Sequence, residues 1–322
     1  MKNDSQYRNR LHPEMLHFYD QSNGYDLFNL EEFRKKVLEA ELVDLRETEG
    51  VRAYDREING TEAGSSLMLR IYEPTEKKTD ALPALLFFHG GGFLFGSRFR
   101  HSALCALLSK SADCVVISVD YRLAPEFKAP APVEDGYTAL LWLCAHADEL
   151  GVDTSRIALA GTSAGGNITA ALTIMARDRN GPPIIFQMPM EAELDSGMAT
   201  PSALSVTDMN VWSTPYTKVS WQAYLPKDTE INGYISPSAE PDLSGLPPLF
   251  SYVGGEDSLR DENVNYWQRL MEAGVPVECH VYPGCFHGFD TCVPEAAYSR
   301  HAYQAAADAL REAFWPTKTE SL

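Results

Sequence analysis

The sequence has no apolar run approaching the roughly 20 residues that a membrane-spanning helix needs. The stretch Met1–Met15 is polar and holds no apolar h-region of a secretory signal, so a cytoplasmic location is expected. Cations are scarce: 27 Lys and Arg stand against 45 Asp and Glu, a formal net charge of −18. A phosphate-gripping surface needs clustered Lys and Arg, so nucleic acid is not an expected partner. Low-complexity tracts and repeats at a solenoid period are also missing. The six cysteines form no CxxC pair and join no histidines at zinc-ligand spacing, so no metal site is expected. Cys285 and Cys292 flank His287, yet in a reducing compartment free thiols are the expectation for all six.

What remains is a chain of 322 residues, 44% apolar, with material for a full core. From about Leu82 onward strand-like and helix-like segments alternate, the pattern of an α/β fold with a mostly parallel sheet. Ala84–Phe88, Val115–Val119, Ile157–Ala160, Pro248–Val253 and Val277–Tyr282 read as strands; Val133–Leu150 and Ser163–Arg177 read as helices. Earlier strands are expected over Ser66–Glu73 and near Val51–Ile58, paired antiparallel at the sheet edge. Two segments fit the alternation poorly. Residues 1–48 read as N-terminal cap helices with an apolar stripe of Leu27, Leu30, Phe33, Val37 and Leu38, and residues 191–225 as a cap insertion. Residues 49–190 and 226–322 would then form the core.

The run Ile157–Asn167 carries a short apolar strand into Gly161-Thr162-Ser163-Ala164-Gly165 and on into a helical pattern. That is the context in which G-x-S-x-G presents a nucleophilic serine on a strained strand-to-helix turn. A second strand ends in His89-Gly90-Gly91-Gly92-Phe93. Three glycines in a row cost chain entropy that a plain turn has no need to spend. Bare backbone amides make an anion cradle, and one preorganised donor to an oxyanion is worth about 3–4 kcal/mol. Gly91 and Gly92, with the amide of Ala164, are the candidates; His89 is read as a brace for the loop.

A serine nucleophile needs a base, and the base needs an orienting acid. Both are expected on loops after later strands, with the histidine last. The loop Gly254-Gly255-Glu256-Asp257 offers Asp257, with Glu256 and Asp261 as rivals. The loop Pro283–Phe289 offers His287, whereas His280 falls mid-strand and His301 on a later helix. Aromatic residues in the cap segments, including Phe18, Tyr19, Phe28, Trp212, Tyr216 and Trp221, either wall a substrate pocket or form the cap's own core. Trp212 and Tyr216, with Phe93 and Phe286 on the neighbouring loops, are the pocket candidates.

Taken together, His89–Phe93, Gly161–Gly166, Asp120-Tyr121-Arg122-Leu123-Ala124-Pro125-Glu126, Asp257–Glu262 and Phe286–Phe289 resemble the hormone-sensitive-lipase-like family of α/β-hydrolases, also called the bacterial family IV esterases. The resemblance runs in order from about residue 67 to residue 314, and Thr162 aligns with the branch carrying Gly-Thr-Ser-Ala-Gly. It implies an α/β-hydrolase fold with an eight-stranded sheet and a helical cap, no cofactor, and hydrolysis of short-to-medium acyl esters as small-molecule substrates. It also implies Ser163, Asp257 and His287 as a triad and Gly91, Gly92 and Ala164 as oxyanion donors. Gly90, Tyr121 and Glu126 fall to structural roles near the site. Two features depart from the family pattern: Ser258 stands where proline is common, and Glu191–Asp195 is unusually acidic for a segment beside an ester pocket. A homodimer through the edge strand near Val277–Tyr282 is a further implication. The same constellation also serves amides and sugar acetates, while a non-catalytic binding relative would typically lack the base that His287 supplies. A nucleotide-binding reading fails because His89–Gly92 matches neither a P-loop nor G-x-G-x-x-G.

Overall fold

Side chains along β3 (Leu82–Phe88) alternate between two cores, as period-two strand geometry requires. Leu82, Ala84, Leu86 and Phe88 enter one core; Leu85 and Phe87 enter the other. The first is closed by the helices Ala131–Ala145 and Ala164–Asp178, through Val133, Leu140, Ile168 and Leu172. The second is closed by Ser102–Ala112 and Ala297–Phe314, through Leu104, Leu108, Ala306 and Leu310. A sheet covered on both faces explains why its strands read as continuous apolar runs. The computed structural model describes residues 5–43 and 48–316.

The other strands are β1 (Val51–Asn59), β2 (Ser66–Pro74), β4 (Val115–Val119), β5 (Val152–Thr162), β6 (Phe186–Met190), β7 (Leu249–Gly254) and β8 (Val277–Tyr282). They form one eight-stranded sheet in the order β1-β2-β4-β3-β5-β6-β7-β8. The pairs β1–β2 and β2–β4 are antiparallel and the rest parallel. From β3 the chain goes first to one side and then to the other, so β3 and β5 meet where the winding reverses. Loops leaving the carboxyl ends of such a pair diverge and open a crevice. Phe88 pairs with Gly161 there, which sets the His89–Gly92 loop beside Ser163.

Two expectations are corrected, and one strand, β6, stands outside those expected. The helix expected over Val133–Leu150 breaks into Ala131–Ala145 and Ala147–Leu150 at His146, whose φ of −114° and ψ of 19° leave the helical region. Strand β6 carries Pro189, which argues against a central strand. It is tolerated because the β6–β7 ladder has a single register pair, Gln187 with Leu249, and so loses little at Pro189. In the N-terminal segment Leu27, Leu30, Phe33 and Val37 are partly buried against the core, but Leu38 is exposed. Within residues 1–48, positions 1–4 and 44–47 lie outside the described residues.

The helix Leu30–Val43 is pinned to the loops after β3 and β4 by Arg34, which donates to the carbonyls of Leu94 and Ala124 and pairs with Glu126. Glu126 is therefore a surface anchor of this segment. The 191–225 segment contains the helices Pro201–Ser205 and Thr214–Tyr224. Strand β8 forms one edge of the sheet, with Cys279 and Val281 exposed. Among the described residues no helix is long and apolar enough to cross a membrane, and all six cysteines are free.

Candidate active site

Ser163 sits between β5 and the helix Ala164–Asp178 with φ 56° and ψ −120°. A non-glycine residue in that region carries on the order of 1–3 kcal/mol of strain, which its surroundings must hold in place. They do so by close approach. A Cβ on Gly161 would lie 2.3 Å from the Gly165 carbonyl oxygen, and one on Gly165 would lie 2.0 Å from that of Phe88. The turn therefore brings strand, helix and the end of β3 into contact that only glycine permits.

The glycine loop is fixed with similar economy. Tyr121 donates from its hydroxyl to the His89 carbonyl at 2.7 Å, and the two rings stack at 4.2 Å. His89 Nδ1 donates to the Gly90 carbonyl at 2.9 Å, and burial pulls its imidazolium down to about 4. A neutral ring bonded to its own neighbour is a brace, not a base. His101 Nε2 accepts from the Gly90 amide and from Thr162 Oγ1, tying the glycine loop to the serine turn. Among the described residues the amides of Gly91, Gly92 and Ala164 donate to no protein group. Three unused donors beside one hydroxyl can receive an anionic oxygen.

His287 lies on the loop after β8 and links Ser163 to Asp257. Its Nδ1 lies 2.8 Å from Asp257 Oδ2 and its Nε2 lies 2.9 Å from Ser163 Oγ. A carboxylate only accepts, so Nδ1 carries the hydrogen and Nε2 is free to accept from Ser163. Burial works against the imidazolium, but the charge and hydrogen bond of Asp257 outweigh it and hold His287 above the ordinary histidine value. Asp257 is fully buried, and its other oxygen accepts from the Leu259 amide at 2.8 Å. The rivals are engaged elsewhere: Glu256 pairs with Arg10, and Asp261 accepts from the Ser202 amide and from Arg260. Ser258, in the place of the family's proline, has its carbonyl pinned by Ser202 Oγ at 2.9 Å.

The acidic segment after β6 is not a solvated face. Glu191 and Glu193 are both buried against the site. Glu191 Oε2 accepts from the Gly288 amide at 2.6 Å and lies 3.8 Å from His287 Nδ1. Burial first, then the charges of Asp290 and Asp257, push its carboxyl well above the usual range. Among the described residues Glu191, Asp257 and His287 also bring three metal-type ligand atoms within 4.8 Å. Here those atoms are occupied by hydrogen bonds to one another and to Gly288, so the cluster serves the imidazole.

A narrow cavity opens above Ser163, walled by Tyr25, Phe95, Arg100, Trp212, Thr291 and Cys292. Of the expected pocket residues, only Trp212 lines it. Phe93 is turned inward and stacked on Tyr224 at 3.9 Å. Phe286 stacks on Phe18 in the opposite core, and Tyr216 supports Trp212 from behind, with its rings 5.6 Å apart. Trp221 and Tyr19 are likewise core, while Phe28 is almost wholly exposed. Tyr25 and Arg100 escaped the sequence reading, and Glu191 and Glu193 entered it only as part of an unusually acidic segment beside the pocket. The glutamates carried a signal, since they directly follow a buried strand at its carboxyl end; Tyr25 carried none.

Known proteins are similar to this chain in sequence and in fold. A family model described as alpha/beta hydrolase fold matches residues 85–291. Esterase LipI of Mycobacterium tuberculosis is 36% identical over 242 residues, covering 74% of this chain and 75% of its own. An arylesterase of Saccharolobus solfataricus is 35% identical over 295 residues, covering 87% and 92%. A solved structure of a bacterial heroin esterase superposes with a TM-score of 0.89 at 36% identity, covering 95% of this chain and 98% of that one. Sheet order, glycine loop, serine turn and these relatives all lead to one place: the chain belongs to the hormone-sensitive-lipase-like family of α/β-hydrolases.

Proposed function

We propose that this protein is a serine carboxylesterase acting on small esters with short-to-medium acyl chains. The observation that carries the reading is the unbroken hydrogen-bond path from Ser163 through His287 to Asp257 beside three unused amides. In the proposed reaction Ser163 Oγ attacks the ester carbonyl while His287 Nε2 takes its proton. Asp257 holds the imidazole tautomer and stabilises the imidazolium. The carbonyl oxygen, now anionic, is received by the amides of Gly91, Gly92 and Ala164. The alcohol then leaves with the proton from His287, and Ser163 is acylated. Water, deprotonated by His287, attacks the acyl-enzyme; the acid departs and Ser163 regains its hydrogen.

Residues 5–43 and 191–225 are proposed as the cap, because Tyr25 and Trp212 from these segments roof the cavity. A narrow, roofed cavity favours short acyl chains over long lipid tails. The names of the relatives, an esterase and an arylesterase, support ester chemistry over amide or sugar-acetate cleavage on the same residues.

The test is hydrolysis of a p-nitrophenyl ester series from acetate to palmitate by wild type and Ser163→Ala. Short chains should be cleaved, and Ser163→Ala should lose on the order of a millionfold in turnover. Retention of more than a few per cent of activity in that variant would sink the serine mechanism. A folded wild type inert on every chain length would move the substrate to an amide or a sugar ester.

A further inference from the structure

Glu193 is fully buried, and nothing in the reaction above uses it. Its backbone belongs to the serine turn: its amide donates to the Ser163 carbonyl at 3.1 Å, and its carbonyl accepts from Asn167 Nδ2 at 2.8 Å. Its side chain reaches across to Ser220 on the helix Thr214–Tyr224, with Oε1 2.9 Å from Ser220 Oγ. The same Ser220 Oγ lies 2.8 Å from the carbonyl oxygen of Gly92.

A count of protons decides the direction. A carbonyl can only accept, and a serine hydroxyl has one hydrogen to give. If Ser220 donates to Gly92, the contact with Glu193 is a hydrogen bond only when the carboxyl supplies the hydrogen. The other carboxyl oxygen, Oε2, is buried and has no partner among the described residues. An ionised carboxylate would leave that oxygen charged and without a donor, an arrangement costing several kcal/mol. We propose that Glu193 is a positioning residue, held protonated, which donates to Ser220 and thereby lets Ser220 anchor Gly92 of the oxyanion loop. The inference rests on the oxyanion role proposed above for Gly91 and Gly92.

The surroundings agree. His287 and Asp257 face Glu193 across the site, Glu262 approaches from the helix Arg260–Glu272, and the hydroxyls of Tyr121 and Tyr224 complete the shell. Burial pushes its carboxyl up to about 8, with the Ser220 bond and His287 pulling against it and Asp257 adding to it. Below that pH Glu193 is neutral and the chain runs from Glu193 to Ser220 to Gly92. Above it Glu193 becomes an acceptor and draws the Ser220 hydrogen away from Gly92. The loop carrying the oxyanion amides then loses an anchor, and turnover falls.

The experiment is kcat against pH, from about pH 6 to about pH 10, for wild type, Glu193→Gln, Ser220→Ala and Ser163→Ala. Wild type should lose about tenfold in kcat above pH ~8, less than the hundredfold or more that removal of a donor costs. Glu193→Gln stays neutral and still donates, so it should remain within about threefold of wild type at pH 7 and show no alkaline fall. Ser220→Ala should be about tenfold slow at every pH, also without the fall. A wild-type profile flat to the alkaline end, the same fall in Glu193→Gln, or wild-type rates in Ser220→Ala would overturn the proposal. Ser163→Ala separates the two readings. If it is inactive while Glu193→Gln shows the same alkaline fall as wild type, only the role of Glu193 fails; if it is active, the esterase mechanism itself fails.

Discussion

Ser163, at the floor of the cavity, and Tyr25 and Trp212, at its roof, are held by different forces. The floor rests on backbone: Gly161 and Gly165 leave no room for a single added carbon, and Phe88 of the neighbouring strand closes the contact. The roof rests on rings. Tyr25 meets Trp212 edge-on at 5.3 Å and Tyr216 at 5.1 Å, and stacks on Phe95 at 6.1 Å. Backbone contacts in a buried sheet have one solution, whereas a cluster of rings can repack with its volume conserved. Rate should therefore be governed by the floor and substrate choice by the roof.

The most damaging test of that division is Gly165→Ala. The added Cβ would meet the Phe88 carbonyl oxygen at 2.0 Å and its carbon at 2.5 Å, so main chain must move. The expected outcome is no detectable esterase activity, with a lowered Tm or insoluble expression. A folded, active Gly165→Ala would mean that the floor yields as readily as the roof. Next comes Asp257→Asn, which leaves the packing intact but removes the charge on His287. Turnover should fall by roughly 10⁴-fold. The base must be neutral to act, so in wild type kcat/KM should rise with pH through a value above the ordinary 6.5 of histidine. In Asp257→Asn the residual acid limb should move down, because the largest favourable influence on the imidazolium is gone. A loss of less than about tenfold would show that Glu191, 3.8 Å from the same nitrogen, orients the ring instead.

The same division explains what could be read from sequence. Ser163 and His89–Gly92 directly follow short buried strands, Asp257 and His287 lie on the loops after later strands, and local rules of strand, turn and glycine place them within a few residues. Their mutual distances then follow from a sheet that puts β3 beside β5 and carries β7 and β8 in order. Strand β6 was not legible, since Pro189 contradicts a central strand and its tolerance depends on a ladder that only the folded sheet has. The roof was legible as an aromatic-rich segment and no further. Phe28 and Tyr25 are three residues apart in one polar stretch, yet one is almost fully exposed and the other lines the cavity. That choice is made by contacts with Phe95, Trp212 and Tyr216, between 70 and 191 residues away along the chain. The buried state of Glu191 and Glu193 is equally non-local, because composition alone assigns acidic pairs to solvent.

Trp212 is where floor and roof meet, and it gives the finest test. Its backbone bridges to His287, its ring would clash at 2.4 Å with any Cβ on Gly92, and its indole donates to Thr217 at 3.0 Å. In Trp212→Ala the backbone bridge can persist while the ring contacts, worth about 0.5–1.5 kcal/mol per aromatic pair, are lost. Turnover on acetate esters should therefore fall by no more than about tenfold, since the triad keeps its own bonds. The emptied volume should admit longer acyl chains, so the p-nitrophenyl series should peak at a longer chain than in wild type. Two results would redraw the boundary. A drop of more than about a thousandfold on every chain length would place Trp212 in the floor, holding Gly92 or His287 in register. An unchanged chain-length profile would mean that the acyl group lies away from this wall, toward Arg100, Thr291 and Cys292 at the other side of the cavity.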